Sequence, residues 1–273
     1  MTTPSTEHTP NAGSLPTPLL EERRGHVLIL TINRPEARNA INKTVADELG
    51  RALADADSDH DIRAIIVTGA GNKAFCAGAD LKALARGEEI GSDGPWGFAG
   101  YVRHAVSVPT IAAVNGFALG GGTEIALASD LLVASDTATF GLPEVTRGVI
   151  AGAGGAFRLA AQIPPKVALE LALTGEHITA ARALELGLAN RVVPADKLLE
   201  TALEIAERIS ANAPLAVRAT KRIARAIGNG SYETEAHSWT RTKHEAHGVM
   251  SSEDSAEGVR AFAEKRSPIW AGK

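Results

Sequence analysis

A chain of 273 residues, 44% hydrophobic and 22% charged, suits one large domain, or one domain with a helical extension, and can bury a substantial core without staples. Its formal net charge of -4, with no basic stripe interleaved with aromatics, argues against nucleic acid as a partner. The single cysteine, Cys76, excludes an internal disulfide framework and a cysteine-type zinc site, and no apolar run approaches the roughly 20 residues of a membrane span.

Residues 1–18 are rich in Thr, Pro and Ser and lack both an apolar and a basic segment. They read as a disordered tail rather than a signal peptide, which with the lone thiol points to a cytoplasmic protein. His26 to Asn33 is a β-branched, apolar strand stopped by Arg34-Pro35. Thr44 with Asp47 resembles a capping box opening a helix to about Asp57. Arg63 to Thr68 is a second strand, ended by Gly69-Ala70-Gly71-Asn72, and a short helix is expected near Ala79. A loose stretch over 87–97 precedes a third strand, Thr110 to Val114. A helix over 122–128 and short strands over 131–135 and 139–140 follow.

From Gly154 onward helical periods dominate: 156–161, 166–174, 180–186, 195–211, 214–227, 232–250 and 253–265, with one strand over 189–193. Arg218, Lys221, Arg222 and Arg225 fall on one helix face, which reads as a solvated cationic face and secondarily as a docking patch. The pattern predicts an α/β core over 19–210 and a helical region over 211–273 that covers the core or a neighbouring subunit.

Three segments carry chemistry. Gly120, Gly121 and Gly122 lie between a strand and a helix, where a helix N-terminus exposes free N–H groups. A ligand-free tight turn would use the same residues. Ala77-Gly78-Ala79-Asp80 also follows a strand and opens a helix; alone it is an N-cap turn, and with the glycine run it is a second candidate donor. Two converging N–H groups stabilise an oxyanion, and losing one such donor costs about 3–4 kcal/mol of barrier. Glu124 and Glu144 stand in apolar company, so each is paired, surface-directed or functional. Burial would raise their proton affinity toward the range useful for acid–base work at neutral pH.

Other motifs fall away. No phosphate-loop or G-x-G-x-x-G pattern is satisfied, and no G-x-S-x-G elbow exists. His244-Glu245-Ala246-His247 is one residue short of a zinc helix, so no metal is expected, and Cys76 has no His or acid near it in sequence.

The segments RPEARNAI (34–41), FCAGADL (75–81), IAAVNGFALGGGTE (111–124), FGLPE (140–144), AGAGGAFRL (151–159), LTGEHITAARALELGLA (173–189) and FAEKRSPIW (262–270) resemble the enoyl-CoA hydratase/isomerase (crotonase) superfamily from about residue 20 to 270. The resemblance implies a spiral β/β/α core and C-terminal helices that drive trimerisation, commonly as hexamers. It implies an acyl-CoA thioester substrate, with no cofactor beyond the CoA that the substrate carries, and a place in fatty acid metabolism.

Residue by residue, the resemblance makes Ala79 and Gly121 the oxyanion donors and Glu124 and Glu144 the acid–base pair. It lines the CoA channel with Ala37, Arg38, Ala77, Asp80 and Leu81, with Lys265 reaching in from the C-terminal region. Two glutamates imply an enoyl-CoA hydratase. The alternatives are another acyl-CoA isomerase or a dehydratase of the carnitinyl-CoA kind, or a non-catalytic acyl-CoA-binding oligomer. Ala151 replaces a usual proline and Ala156-Phe157 a usual Thr-Gln. The loop over 87–100, with Trp96 and Phe98, is the candidate for acyl-chain selection.

Overall fold

The computed structural model describes residues 17–88 and 90–273, so residues 1–16 of the expected tail lie outside the described part. Thr17 and Pro18 are already held, their carbonyls accepting hydrogen bonds from the Asn33 side chain and backbone.

In chain order the elements are β1 (Leu19–Arg24), β2 (Val27–Ile32), α1 (Lys43–Ser58), β3 (Ala64–Gly69), β4 (Ala74–Cys76), α2 (Leu81–Ala85), β5 (Thr110–Val114), β6 (Phe117–Leu119), α3 (Gly121–Ala128), β7 (Leu131–Ser135), β8 (Thr139–Gly141), α4 (Gly155–Gln162), α5 (Pro165–Thr174), β9 (His177–Thr179), α6 (Ala180–Glu185), β10 (Arg191–Val193), α7 (Leu198–Ser210), α8 (Pro214–Ala224), β11 (Ile227–Gly228), β12 (Ser231–Tyr232), α9 (Ala236–Met250) and α10 (Glu253–Glu264).

One sheet has the order β1-β2-β3-β5-β7-β10; β1 pairs antiparallel with β2 and the other pairs are parallel. Its central strands are buried on both faces, which is why β2 (VLILTI) and β3 (AIIVTG) read as continuous apolar runs. Alternate residues of β2 go to opposite sides. Leu28, Leu30 and Ile32 join the main core with Val45, Leu49 and Leu53 of α1. Val27 and Ile29 face Leu198, Ala202 and Ala206 of α7 in a second core.

A second sheet, β4-β6-β8-β9, is built of three-residue strands. It explains the spiral: the chain runs β3–β4–α2, then β5–β6–α3, and after β7–β8 a short 3-10 turn over 143–147 leads to α4. Each unit places one strand in the large sheet and one in the small sheet before turning into a helix. Strands β4, β6 and β8 are parallel neighbours, with Cys76 opposite Ala118, Ala118 opposite Phe140 and Leu119 opposite Gly141. Their carboxyl ends therefore lie side by side, the place where parallel sheets present ligand sites.

Several expectations change. Strand β1 (LLEERR) is too polar for a strand reading; it is an edge strand turned back by Gly25, and its charges protect that edge. Helix α1 is capped by Asn42, whose side chain accepts from the Val45 amide, and not by Thr44. Helix α8 ends at Ala224 and a two-strand hairpin follows.

The cationic face of α8 is not solvated. Lys221 is 7% exposed, with Nζ 2.6 Å from Asp130 and 2.7 Å from the Val108 carbonyl. Burial pushes its ammonium below the usual range against the pull of Asp130. Arg218 binds Asp57 and the Asp59 and Ile62 carbonyls, and Arg225 binds the Ala128 carbonyl. These cations fasten α8 to the core; of the four, only Arg222 is exposed.

Candidate active site

The site grows from the ends of β4, β6 and β8. After β6 the chain turns at Gly120 and enters α3, a helix with every residue buried. Thr123 fixes its first turn: the hydroxyl accepts from the Gly141 amide and is shared between the carbonyls of Ala118 (2.6 Å) and Gly141 (2.9 Å). A Cβ at Gly122 would overlap the Cys76 carbonyl, so only glycine lets α3 approach β4 this closely. Gly121 is the first helical residue, and its N–H has no partner inside the helix.

Ala79 lies between Gly78 (φ 91°) and Asp80, the cap of α2. Ile41 pairs with this segment, its amide donating to the Gly78 carbonyl (2.8 Å) and its carbonyl accepting from the Asp80 amide (2.9 Å). In a parallel bridge that arrangement turns the intervening Ala79 N–H to the opposite edge. Among the described residues neither Ala79 N–H nor Gly121 N–H has an acceptor. The two segments touch, since a Cβ on Gly78 would stand 3.2 Å from the Gly121 nitrogen.

Glu124, one turn into α3, is 3% exposed. Its Oε1 accepts from the Gly155 amide at 2.9 Å. Burial raises its carboxyl to about 8, aided by the charge of Glu144 and opposed by the Gly155 and Ala153 amides and by Arg158. Glu144 follows Pro143 in the 3-10 turn. Its Oε1 lies beside Gly120, and its buried Oε2 has no hydrogen-bond partner. Burial raises this carboxyl to about 7. The two acids titrate as a coupled pair near neutrality, where each can hold or release a proton. Two unpaired amides and two such carboxyls can anchor a carbonyl oxygen and exchange protons beside it.

The other expected residues separate. The Ala77 amide donates to the Arg38 carbonyl, which brings Ala37 and Arg38 to the Ala77–Leu81 segment. Arg38 and Ala77 are exposed, as is Leu81 at 48%. Asp80 is turned inward: Oδ1 caps the Lys82 and Ala83 amides and Oδ2 pairs with Arg34 at 2.8 Å. Burial works against its charge, but Arg34 and the two amides hold its carboxyl below the usual range. That geometry gives the Asp80 side chain a structural task at the start of α2. Lys265 ends α10 and lines a groove of about 570 Å³ with Val145, Arg147, Leu173 and Trp270, sharing none of its lining with Ala37, Arg38, Ala77 or Leu81.

Cys76 is wholly buried and its thiol is pushed up to about 12 by desolvation, which removes it as a nucleophile. Among the described residues no group of His, Cys, Asp and Glu could hold a metal ion, and no helix is long and apolar enough to cross a membrane.

Sequence reasoning missed two contributors, Asn39 and Arg158, and the particular contact of a third, Phe98. Asn39, fully buried in the left-handed region (φ 55°), donates to the Ala70 and Ala74 carbonyls and accepts from the Arg34 amide. It ties the RPEARNAI segment to β4, and its tolerance of positive φ was the available signal. Arg158, 2% exposed, stands out in AFRL as a lone cation in an apolar turn. Phe98 belongs to the loop singled out, but its contact with the backbone of Gly121 is visible only in three dimensions. Trp96 of the same loop stacks on His104, with ring centroids 4.7 Å apart. Ala151 sits against Gly155 beside Glu124, and Phe157 meets Trp239 edge-on at 5.1 Å.

Comparison with known proteins agrees with this architecture. The enoyl-CoA hydratase/isomerase family matches residues 22–273. A carnitinyl-CoA dehydratase from Proteus mirabilis (strain HI4320) is 45% identical over 255 residues, covering 92% of this chain and 97% of that protein. The crystal structure of a carnitinyl-CoA hydratase from Mycobacterium avium is 54% identical with a TM-score of 0.93, covering 95% of this chain and 100% of its own. An enoyl-CoA hydratase from Mycobacterium tuberculosis H37Rv is 44% identical with a TM-score of 0.74, covering 94% and 100%. The chain belongs to the enoyl-CoA hydratase/isomerase (crotonase) family.

Proposed function

We propose that this protein is a hydro-lyase of CoA thioesters that interconverts a 2-enoyl-CoA and the corresponding 3-hydroxyacyl-CoA. The observation that carries the reading is the placement of two unpaired amides, Ala79 and Gly121, near two carboxyls of raised proton affinity, the buried Glu124 and the half-buried Glu144. The thioester oxygen rests against the two N–H groups, which stabilise the charge that develops on it as an enolate forms. Glu124 takes a proton from water as the water oxygen bonds to C3, and Glu144 delivers a proton to C2. In the reverse direction, dehydration, Glu144 takes the C2 proton and Glu124 returns a proton to the departing hydroxyl. The reaction needs no cofactor beyond the CoA on the substrate.

The acyl group is the finer question. Relatives named carnitinyl-CoA dehydratase or hydratase favour a 4-trimethylammonium acyl group. Aromatic rings near the site suit such a cation, but Arg103 and Arg158 already lie 4.9 and 5.4 Å from the Trp239 centroid. The deciding experiment compares crotonyl-CoA, longer enoyl-CoAs and the trimethylammonium enoyl-CoA that carnitinyl-CoA would yield on dehydration. Loss of the conjugated thioester absorbance is the readout. Turnover of at least one supports the hydro-lyase, and the preferred substrate names the acyl group; turnover of none rejects it.

Assembly as a trimer or hexamer belongs to the same proposal. It is supported by exposed apolar residues in the last part of the chain, Ile223, Val259, Phe262, Ile269 and Trp270. Light scattering that finds a monomer at micromolar concentration rejects it.

A further inference from the structure

The guanidinium of Arg158 is buried directly behind the Glu124 site and is more heavily engaged than a surface arginine. Its Nε and Nη2 form a two-pronged pair with Glu235 at 2.9 and 2.6 Å, and Nη2 also donates to the Val102 carbonyl at 2.6 Å. The rings of Phe157, Tyr232 and Trp239 surround it with centroids 5.4–5.7 Å away, and the Trp239 Nε1 donates to the same Glu235 carboxylate at 3.2 Å. Glu235 immediately precedes α9, the first long helix after the hairpin, and Val102 belongs to the segment between α2 and β5. One side chain on α4 therefore binds both of these parts, which also meet through Arg103 over Trp239 and the Tyr232 hydroxyl on the His104 carbonyl.

The opposite end of that grip is Glu124. Arg158 lies one turn beyond Gly155 on the same face of α4, and Gly155 gives its amide to Glu124. The fit is close: a Cβ on Gly155 would stand 2.9 Å from the Glu124 Cγ. The remaining guanidinium nitrogen, Nη1, is buried without a partner and lies 3.1 Å from where a Cβ of Gly154 would be. Part of this cation's charge is therefore not quenched by hydrogen bonds.

We propose that Arg158 and Glu235 form a positioning pair. Through them the start of α9 holds α4, and with it the amide on which Glu124 rests, while the guanidinium supplies the positive charge nearest that carboxylate. The proposal deepens the hydro-lyase reading and rests on it for its kinetic arm alone. The titratable or charged groups that act on Glu124 are Glu144 from the 3-10 turn, the Cys76 thiol from β4, which stays neutral, and Arg158 from α4. Of these only Arg158 favours the ionised acid. Glu235 reaches Glu124 by partly neutralising Arg158. Removing the two members of the pair must therefore move Glu124 in opposite directions.

The test is a carboxyl 13C NMR titration of the full-length protein labelled at glutamate, with Glu124 and Glu144 assigned from the spectra of Glu124→Gln and Glu144→Gln. Arg158→Gln is expected to raise the Glu124 midpoint and Glu235→Gln to lower it, each by about half a pH unit or more, with Arg158→Lys between wild type and Arg158→Gln. The pH–rate profile on the preferred enoyl-CoA should shift in the same two directions. Shifts of the same sign, or no shift in variants with native circular dichroism, overturn the proposal. If Arg158→Gln does not fold, Glu235→Gln decides alone: a midpoint that stays or rises overturns it. Opposite shifts without turnover of any CoA ester uphold the pair and reject the hydro-lyase reading.

Discussion

The two acids of the site share one residue type and one direction of perturbation, yet their surroundings differ. Glu124 is embedded in a wholly buried helix and its Oε1 has a backbone donor. Glu144 sits on a 3-10 turn beside the exposed Val145, Thr146 and Arg147, and its buried Oε2 has none. Burial raises both, and the carboxyl with the donor is raised further because it is more completely buried and a second acid charge bears on it. The difference teaches that a hydrogen bond both places a carboxyl and favours its charged form, and that burial with like charge can still outweigh it. Glu124 is held in place; Glu144 keeps an unsatisfied oxygen free for a ligand atom.

The largest expected effect tests whether both acids are needed. Glu124→Gln and Glu144→Gln should each lower kcat on the preferred enoyl-CoA by about 100- to 10,000-fold, with melting temperatures at pH 8 equal to or above wild type. Full activity in either variant breaks the parity between them.

The next pair of substitutions separates the two environments. Gly155→Ala crowds the Glu124 Cγ and Leu142, both 2.9 Å from the new methyl, and should cost about 1–3 kcal/mol of stability in urea unfolding. Gly120→Ala places a side chain at φ 53°, ψ -121°, 3.0 Å from the Glu144 Oε1, and should cost about 1–3 kcal/mol as well. In the NMR titration the first should displace the Glu124 midpoint and the second that of Glu144; the reverse pattern would sink the assignment of supports.

The smallest effect is in the pH dependence of stability. A carboxyl whose folded value lies above its unfolded value of 4.5 binds a proton in the folded state that the unfolded state has already lost. Its contribution to stability is undiminished below about 4.5 and falls as pH rises toward the folded value. The melting-temperature advantage of Glu124→Gln over wild type should grow up to about pH 8, and that of Glu144→Gln should level off near 7. A flat difference across pH 5–8 would show that neither acid is perturbed.

Much of the frame was legible because it is written in long apolar runs. TIAAV and LLVAS are strands whose ends match the sequence reading, and the amphipathic periods after Gly154 are helices. Of the small sheet only β8 was legible, as the strand over 139–140; AFC, FAL and HIT are too short for any periodicity. The α8 cations show a further limit, since spacing groups Arg218, Lys221 and Arg225 on one face but cannot say that the face points inward. At the site, the two glutamates and the glycine run announce themselves by composition. The task of Asp80 depends on Arg34, a partner 46 residues away, and that of Arg158 on Glu235, 77 residues away.

The three short parallel strands have a practical consequence for redesign. Their main-chain pairing brings the segments that carry the amides and acids side by side, and a few side chains such as Thr123 and Asp80 lock the turns that follow. The 87–109 segment leaves after α2 and re-enters at β5, and between those ends it touches the register through Phe98 and the Val102 carbonyl. Grafting a different segment there has to keep the ring of Phe98 against Gly121 and the Val102 carbonyl that Arg158 holds.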